Sequence, residues 1–288
     1  MAISLDDIKR LRERSGAGMA DCKKALEEAD GNMEEAIDIL RKKGAATAAK
    51  RADKAADEGV IATAVADDHK AAAMVEINCE TDFVARNEQF TTFATALATL
   101  VLEKNPSNEE DLLKLEMNGM TVEQGLNELL AKFSERIGVR RFVRMETSDG
   151  FLSDYVHGGS RLAVLVELAG IDGENGVRVA RDVAMQVAAM NPQHVSRDEV
   201  SEATLERERE IYREQLAGEK KPAEIIEKII TGRVEKYYEE SVLLEQSFVK
   251  DSSKSVTEVL KAEGEGVTVR SFTRFNLGEA VPESAPVN

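Results

Sequence analysis

Two long stretches of this 288-residue chain repeat one order of elements, and that order limits the folds open to it. In the first, Gly59-Val60-Ile61 through Val65 reads as a strand. Asp67-Asp68-His69-Lys70 is a turn, and Ala71 to Cys79, with Met74, Val75 and Ile77, reads as a second strand. Phe83 to Leu102 then carries Phe90, Phe93, Leu97 and Val101 at helical spacing. A polar loop at Asn105-Pro106-Ser107-Asn108, a helix from Thr121 to Ile137 (Leu126, Leu129, Leu130 and Phe133 spaced for burial) and a strand from Val139 to Met145 complete the unit. The second stretch runs Gly150 to Val156, the turn His157-Gly158-Gly159, and Leu162 to Leu168. A helix with Val177, Ala180, Val183, Ala184, Val187 and Ala188 on one face follows, then further helices and a closing strand from Val267 to Leu277. Each half reads strand, strand, helices, strand, which is an internal structural repeat.

The second half carries an insert. Asn191-Pro192 ends its first helix, and residues 198–217 and 222–240 form two more, joined by Gly218-Glu219-Lys220-Lys221, with Pro222 at a first helical position. Ile226, Ile230, Val234 and Tyr237 make a narrow stripe on the second, while the first is dominated by Glu and Arg. A pair this charged buries one seam and projects as an antiparallel hairpin, either a solvated arm or an arm through which two copies pair.

The first 44 residues form a separate three-helix module. Ser4 with Asp7 three residues on starts a helix through Ile8 and Leu11, and Gly16-Ala17-Gly18 stops it. Cys22, Ala25, Leu26 and Ala29 line one face of the second. Asn32 caps the third, with Glu35 at its third position; Ala36, Ile37 and Leu40 continue it, and Gly44 closes it. So small a bundle has little core, and one of its faces suits docking.

The expected class is therefore α+β: residues 1–44 as a helical module, 45–56 as a basic linker, 57–148 and 149–278 as two related subdomains, the hairpin insert at 198–240, and a disordered tail at 279–288.

Charge supports the division. The formal net charge is -16, yet residues 1–56 hold 12 bases against 11 acids. From Arg41 to Lys54 six bases face one acid, Asp53, as a solvated linker or a patch for an acidic partner. An acidic chain repels phosphate backbones, so direct nucleic-acid binding is not expected. No apolar run is long enough for a membrane span, and the first residues lack a signal peptide's basic and apolar regions, so a cytoplasmic protein without membrane contact is expected. Cys22 and Cys79 give no disulfide framework.

No catalytic or cofactor motif emerges. There is no phosphate loop and no dinucleotide fingerprint, and Gly264-Glu265-Gly266 precedes a strand as a turn. His69, His157 and His194 are scattered, no metal-ligand spacing occurs, and Cys22 falls on an inner helix face. The chain is not expected to be an enzyme or to need a cofactor.

One segment is unusual. In Asn78-Cys79-Glu80-Thr81-Asp82-Phe83-Val84 an apolar strand gives way to a helix that Thr81 or Asp82 can cap. Phe83 and Val84 stand where a polar loop is expected. Phe83 is either a staple packed into its own core or an exposed aromatic tip beside an acid, a shape suited to prising a partner apart.

The segment from Leu11 to Leu26, with Arg14-Ser15-Gly16-Ala17-Gly18-Met19-Ala20-Asp21-Cys22-Lys23-Lys24, resembles the N-terminal module of bacterial elongation factor Ts. Asn78 to Arg86 resembles that family's Thr-Asp-Phe-Val segment. Tyr155 to Leu165 and Phe248-Val249 with Ser253-Lys254-Ser255-Val256 are similar to later signatures, in order over residues 1–278. The resemblance implies a nucleotide exchange factor for elongation factor Tu, with a ubiquitin-associated-like N-terminal module, two related core subdomains and a coiled-coil arm. It implies that Asp82 and Phe83 intrude beside the Mg²⁺ and phosphate end of the partner's nucleotide site, framed by Thr81 and Val84. His157 would lie near the interface, and Arg12 and Met19 on a helix of the partner's GTPase domain. Ala20 replaces a methionine common in the family, which weakens that contact. Leu162-Ala163, in place of the commoner Ile-Gly, is neutral. The chain stops within nine residues of Glu279, so contacts from the further C-terminal helix of some members are expected to be missing. A reading from another class is a helix-docking or chaperone-like protein that binds through residues 1–44 and ignores nucleotide state.

Overall fold

A computed structural model describes residues 3–51, 54–219 and 221–280. The N-terminal helices are α1 (Leu5–Ser15), α2 (Met19–Glu28) and α3 (Met33–Arg51). Their starts follow local chemistry. The Ser4 hydroxyl accepts the Asp7 N–H at 3.1 Å while the Asp7 carboxylate accepts the Ser4 N–H at 3.3 Å. The Asn32 side chain accepts the N–H groups of Glu34 and Glu35. Leu11, Cys22, Ala25, Leu26, Ala36 and Leu40 form the module's core.

The helix stop expected at Gly44 is not found: α3 continues to Arg51. Gly44 serves close packing instead. α3 lies against α7 (Val122–Phe133), and a Cβ at position 44 would stand 3.0 Å from the Asn127 carbonyl and 3.2 Å from the Ala131 Cβ. Arg41 and Glu128 pair at 3.3 Å on the same seam. The missing side chain lets the two helices approach, and this outweighs glycine's poor helix propensity.

The first half contains β1 (Glu58–Val65), β2 (Ala71–Cys79), α4 (Asp82–Ala85), α5 (Glu88–Lys104), α6 (Glu109–Lys114), the short hairpin β3 (Glu116–Met117) and β4 (Met120–Thr121), α7, and β5 (Gly138–Glu146). The second contains β6 (Phe151–Val156), β7 (Leu162–Ala169), α8 (Gly173–Met190), the pair α9 (Glu202–Leu216) and α10 (Ala223–Ser241), the small hairpin β8 (Ser247–Phe248) and β9 (Asp251–Ser255), α11 (Val256–Glu263) and β10 (Thr268–Asn276). The repeat is visible in the topology. Each half has a three-stranded antiparallel sheet, β1-β2-β5 and β6-β7-β10, with the second strand in the middle and the last returning beside it after the helices.

Strand alternation builds four layers. In β2, Ala73, Val75, Ile77 and Cys79 face α5 and α7, while Ala72 and Met74 face the other sheet. In β7, Val164, Val166 and Leu168 face α8, while Ala163 and Leu165 meet Ile61, Ala72 and Met74. Covered on both sides, β2 and β7 read as nearly continuous apolar runs. His69 belongs to this joint: its ring stacks on Phe151 at 4.2 Å and its Nδ1 lies 2.8 Å from the Leu152 carbonyl.

Several expectations are corrected. The helix expected over Phe83 to Leu102 is two, because Asn87 caps a new start by accepting the Gln89 N–H at 3.0 Å. Val177 is exposed, and Val179 takes the buried position. Pro222 is the cap of α10 rather than its first residue. The pair α9 and α10 shares a seam of Leu205, Leu216, Ile230 and Val234, with Ile226 and Tyr237 half-buried beside it. Of the tail expected to be disordered, residues 281–288 lie outside the described residues. Glu279 is held: its carboxylate accepts from Arg274 at 2.6 Å and Asn276 at 3.0 Å. No helix among the described residues is long and apolar enough to cross a membrane.

Candidate functional site

The unusual segment lies where β2 leaves the core. Thr81 caps the single turn of α4, its Oγ1 accepting the Val84 N–H at 3.5 Å. Val84 and Ala85 take the two inward positions of that turn and are buried with Val75, Cys79 and Phe90. Phe83 is thereby turned outward and is 84% exposed. Of its two readings, the outward tip is the one found. Asp82 pairs with Arg86 at 3.1 Å on the same turn, both side chains open to solvent.

The segment beneath the tip is closely held. The Glu135 carboxylate accepts three hydrogen bonds, from the N–H groups of Glu80 (3.1 Å) and Thr81 (3.0 Å) and from the Thr81 hydroxyl (2.6 Å). The Glu80 carboxylate in return accepts the Arg136 N–H at 2.6 Å. The Cys79 thiol donates to the Thr81 carbonyl at 3.2 Å, and burial pushes its pKa up to about 12, so it stays protonated as a donor.

His157 caps the turn Gly158–Ser160 between β6 and β7 and is exposed, with Nδ1 2.9 Å from the Tyr155 hydroxyl. It borders an apolar cleft of about 380 Å³ lined by Tyr155, Leu162, Met185, Ala188, Ala189 and Val249. Arg161, just past this turn, pairs with Glu58, and Glu58 stands opposite Cys79 in the β1–β2 ladder. The Phe83 tip and the His157 turn therefore leave the double sheet at the same end.

Residues 80–279 match the family described as Elongation factor TS. The chain is 44% identical over 285 residues to Elongation factor Ts of Clostridium botulinum, covering 97% of this chain and 94% of the relative. It is 46% identical to those of Chloroherpeton thalassium (285 residues) and Aquifex aeolicus (287 residues), covering 96% of this chain and 99% of each relative. The chain belongs to the elongation factor Ts family.

In this family member Arg12 and Met19 sit apart from the tip, on the N-terminal module. Arg12 is exposed near the end of α1, and Met19 opens α2 half-buried against the module's core. Neither lines the clefts between the module and α7, which use Arg14, Glu34 and Arg41. Among the described residues no His, Cys, Asp and Glu side chains converge as a metal site. Glu135 and Glu80 carried no signal in the sequence, since their partners lie 54 to 56 residues away.

Proposed function

We propose that this chain is a guanine-nucleotide exchange factor for elongation factor Tu in translation elongation. The observation that carries the reading is Phe83: a large aromatic side chain held 84% in solvent on a turn whose other apolar residues are buried. Membership of the elongation factor Ts family supports it.

GDP in a GTPase is held by Mg²⁺ and by backbone N–H groups around its phosphates. Phe83 enters beside that end of the site and displaces packed side chains. Asp82 brings a carboxylate that disturbs the network positioning the partner's Mg²⁺. Exposed pairs such as Asp82–Arg86 are worth at most about 1 kcal/mol, so the carboxylate is cheaply released to do so. Loss of the ion removes the strongest countercharge on the phosphates, and GDP leaves. Thr81 and Val84 fix the base of the tip. His157 and its apolar cleft form a second foothold. Residues 1–44, read as a ubiquitin-associated-like module, hold the GTPase domain through Arg12 and Met19. Because the factor favours the empty GTPase, nucleotide binding expels it in turn. This chain makes and breaks no bond, uses no cofactor of its own, meets RNA only through its partner, and works in the cytoplasm.

The test is release of fluorescent GDP from elongation factor Tu. The full chain accelerates it. Phe83→Ala lowers the accelerated rate roughly tenfold or more, because a seated aromatic anchor is worth about 2 kcal/mol. Folding stability stays within about 0.5 kcal/mol, as for other exposed positions. A wild-type rate in Phe83→Ala overturns the tip mechanism, and no acceleration by the full chain favours the docking reading.

A further inference from the structure

We infer that Glu135 is the positioning residue that presents Phe83 to the partner. The inference rests on Phe83 being the working tip.

The β2–β5 ladder ends at the pair Asn78 and Gly138. Beyond that pair the two chains separate, and their backbone groups no longer satisfy one another. Two carboxylates continue the connection. Glu135, just past the left-handed Ser134 that ends α7, takes the N–H groups of residues 80 and 81, and Glu80 takes the N–H of Arg136. The result is a reciprocal clasp, in which each chain's side chain grips the other's backbone where sheet pairing stops.

The clasp matters because α4 cannot hold its own shape. It has four residues, and a helix that short does not repay the cost of its first turn. Its geometry must be imposed from outside. Thr81 is where this happens, and each of its polar groups is engaged. Its N–H and hydroxyl donate to Glu135, and its carbonyl accepts from the Cys79 thiol and from the Ala85 N–H at 3.2 Å. By accepting the hydroxyl's hydrogen bond, O···O 2.6 Å, Glu135 leaves the Thr81 oxygen lone pairs for the N–H of Val84. Val84 and Ala85 are then driven inward, and Phe83 can only point out. An ionised carboxylate suits the task, because it accepts several charge-assisted hydrogen bonds at once. Held this way, the tip meets its partner already ordered and does not lose conformational freedom on docking.

The test uses the full chain with Glu135→Ala and Glu135→Gln. In the free protein, amide exchange at residues 80 and 81 becomes faster in Glu135→Ala while the centre of β2 stays protected. Unchanged protection at 80 and 81 overturns the clasp without reference to any partner. In the GDP-release assay, the rate at saturating Glu135→Ala falls roughly tenfold, a loss typical of a misplaced group. Glu135→Gln, which keeps one acceptor oxygen, recovers part of it. Combined with Phe83→Ala, Glu135→Ala gives no further loss, since it acts through that side chain. Additive losses in the double variant, or a wild-type rate in Glu135→Ala while Phe83→Ala is slow, overturn the inference and leave the exchange function standing. A wild-type rate in Phe83→Ala removes the tip itself and the inference with it.

Discussion

The two sheets share a topology and differ at the step from middle strand to helix. After β2 the chain makes the clasped tip and then starts α5 afresh at Asn87. After β7 it crosses only Gly170-Ile171-Asp172 before α8 begins. Gly170 has φ +74°, and a Cβ there would lie 2.4 Å from the Gly266 carbonyl. The second junction is therefore a tight internal corner, while the first is an outlet. In the second half it is the β6–β7 turn, with His157 at its start, that stands exposed at this end of the sheets. The framework is repeated, and the connections that leave it differ between the two halves.

The comparison can be broken at the corner first. Gly170→Val places a β-branched residue in the left-handed region and against a backbone carbonyl, and is expected to destabilise by about 3 kcal/mol, read from chemical denaturation. A loss no larger than that of Phe83→Ala would mean that the two junctions are not structurally different in kind. A smaller effect is expected at the second half's turn. His157→Ala should raise the concentration of factor needed for half-maximal GDP release about threefold, as for a peripheral contact, and leave the saturating rate unchanged. A lower saturating rate would make the turn a second working tip rather than a foothold.

The smallest effect concerns Asp149, at the entry to β6. Its carboxylate pairs with Arg270 at 2.5 and 2.7 Å, which lowers its pKa to about 2. The folded value lies below the unfolded one. The pair's contribution is therefore present above the ordinary carboxylate range and is lost as pH falls toward about 2. Melting curves of wild type and Asp149→Asn should differ slightly at pH 5 and converge on acidification, with the gap reduced by salt because the pair is exposed. A gap that widens at low pH contradicts this assignment.

What was legible in the sequence was mostly local. Ser4 with Asp7 and Asn32 announced their caps, and the inner face of Cys22, Ala25 and Leu26 followed from spacing alone. The bounds of β2 followed from an apolar run between polar turns. Asn118-Gly119 carries a two-residue hairpin signature, and both residues have positive φ (56° and 82°), so the β3–β4 hairpin was readable although no element is assigned from sequence between Asn108 and Thr121. Gly44 was misleading because a glycine late in a helix is consistent both with a stop and with close packing, and only α7 decides between them. The direction of Phe83 follows from the burial of Val84 and Ala85 and from the hold of Glu135 on Thr81, tertiary contacts that local pattern does not encode. Glu135 was one acid among 54 until the fold brought it to Thr81.

The clasp also sets a time. Glu80 and Thr81 are synthesised 54 to 56 residues before the groups that hold them. Closing a loop of that length costs entropy that only the assembled sheet and helices repay. Until α7 and the start of β5 are in place, the segment around Phe83 has strand and cap but no grip. The segment proposed to meet the partner is thus shaped by contacts that only the folded first half supplies.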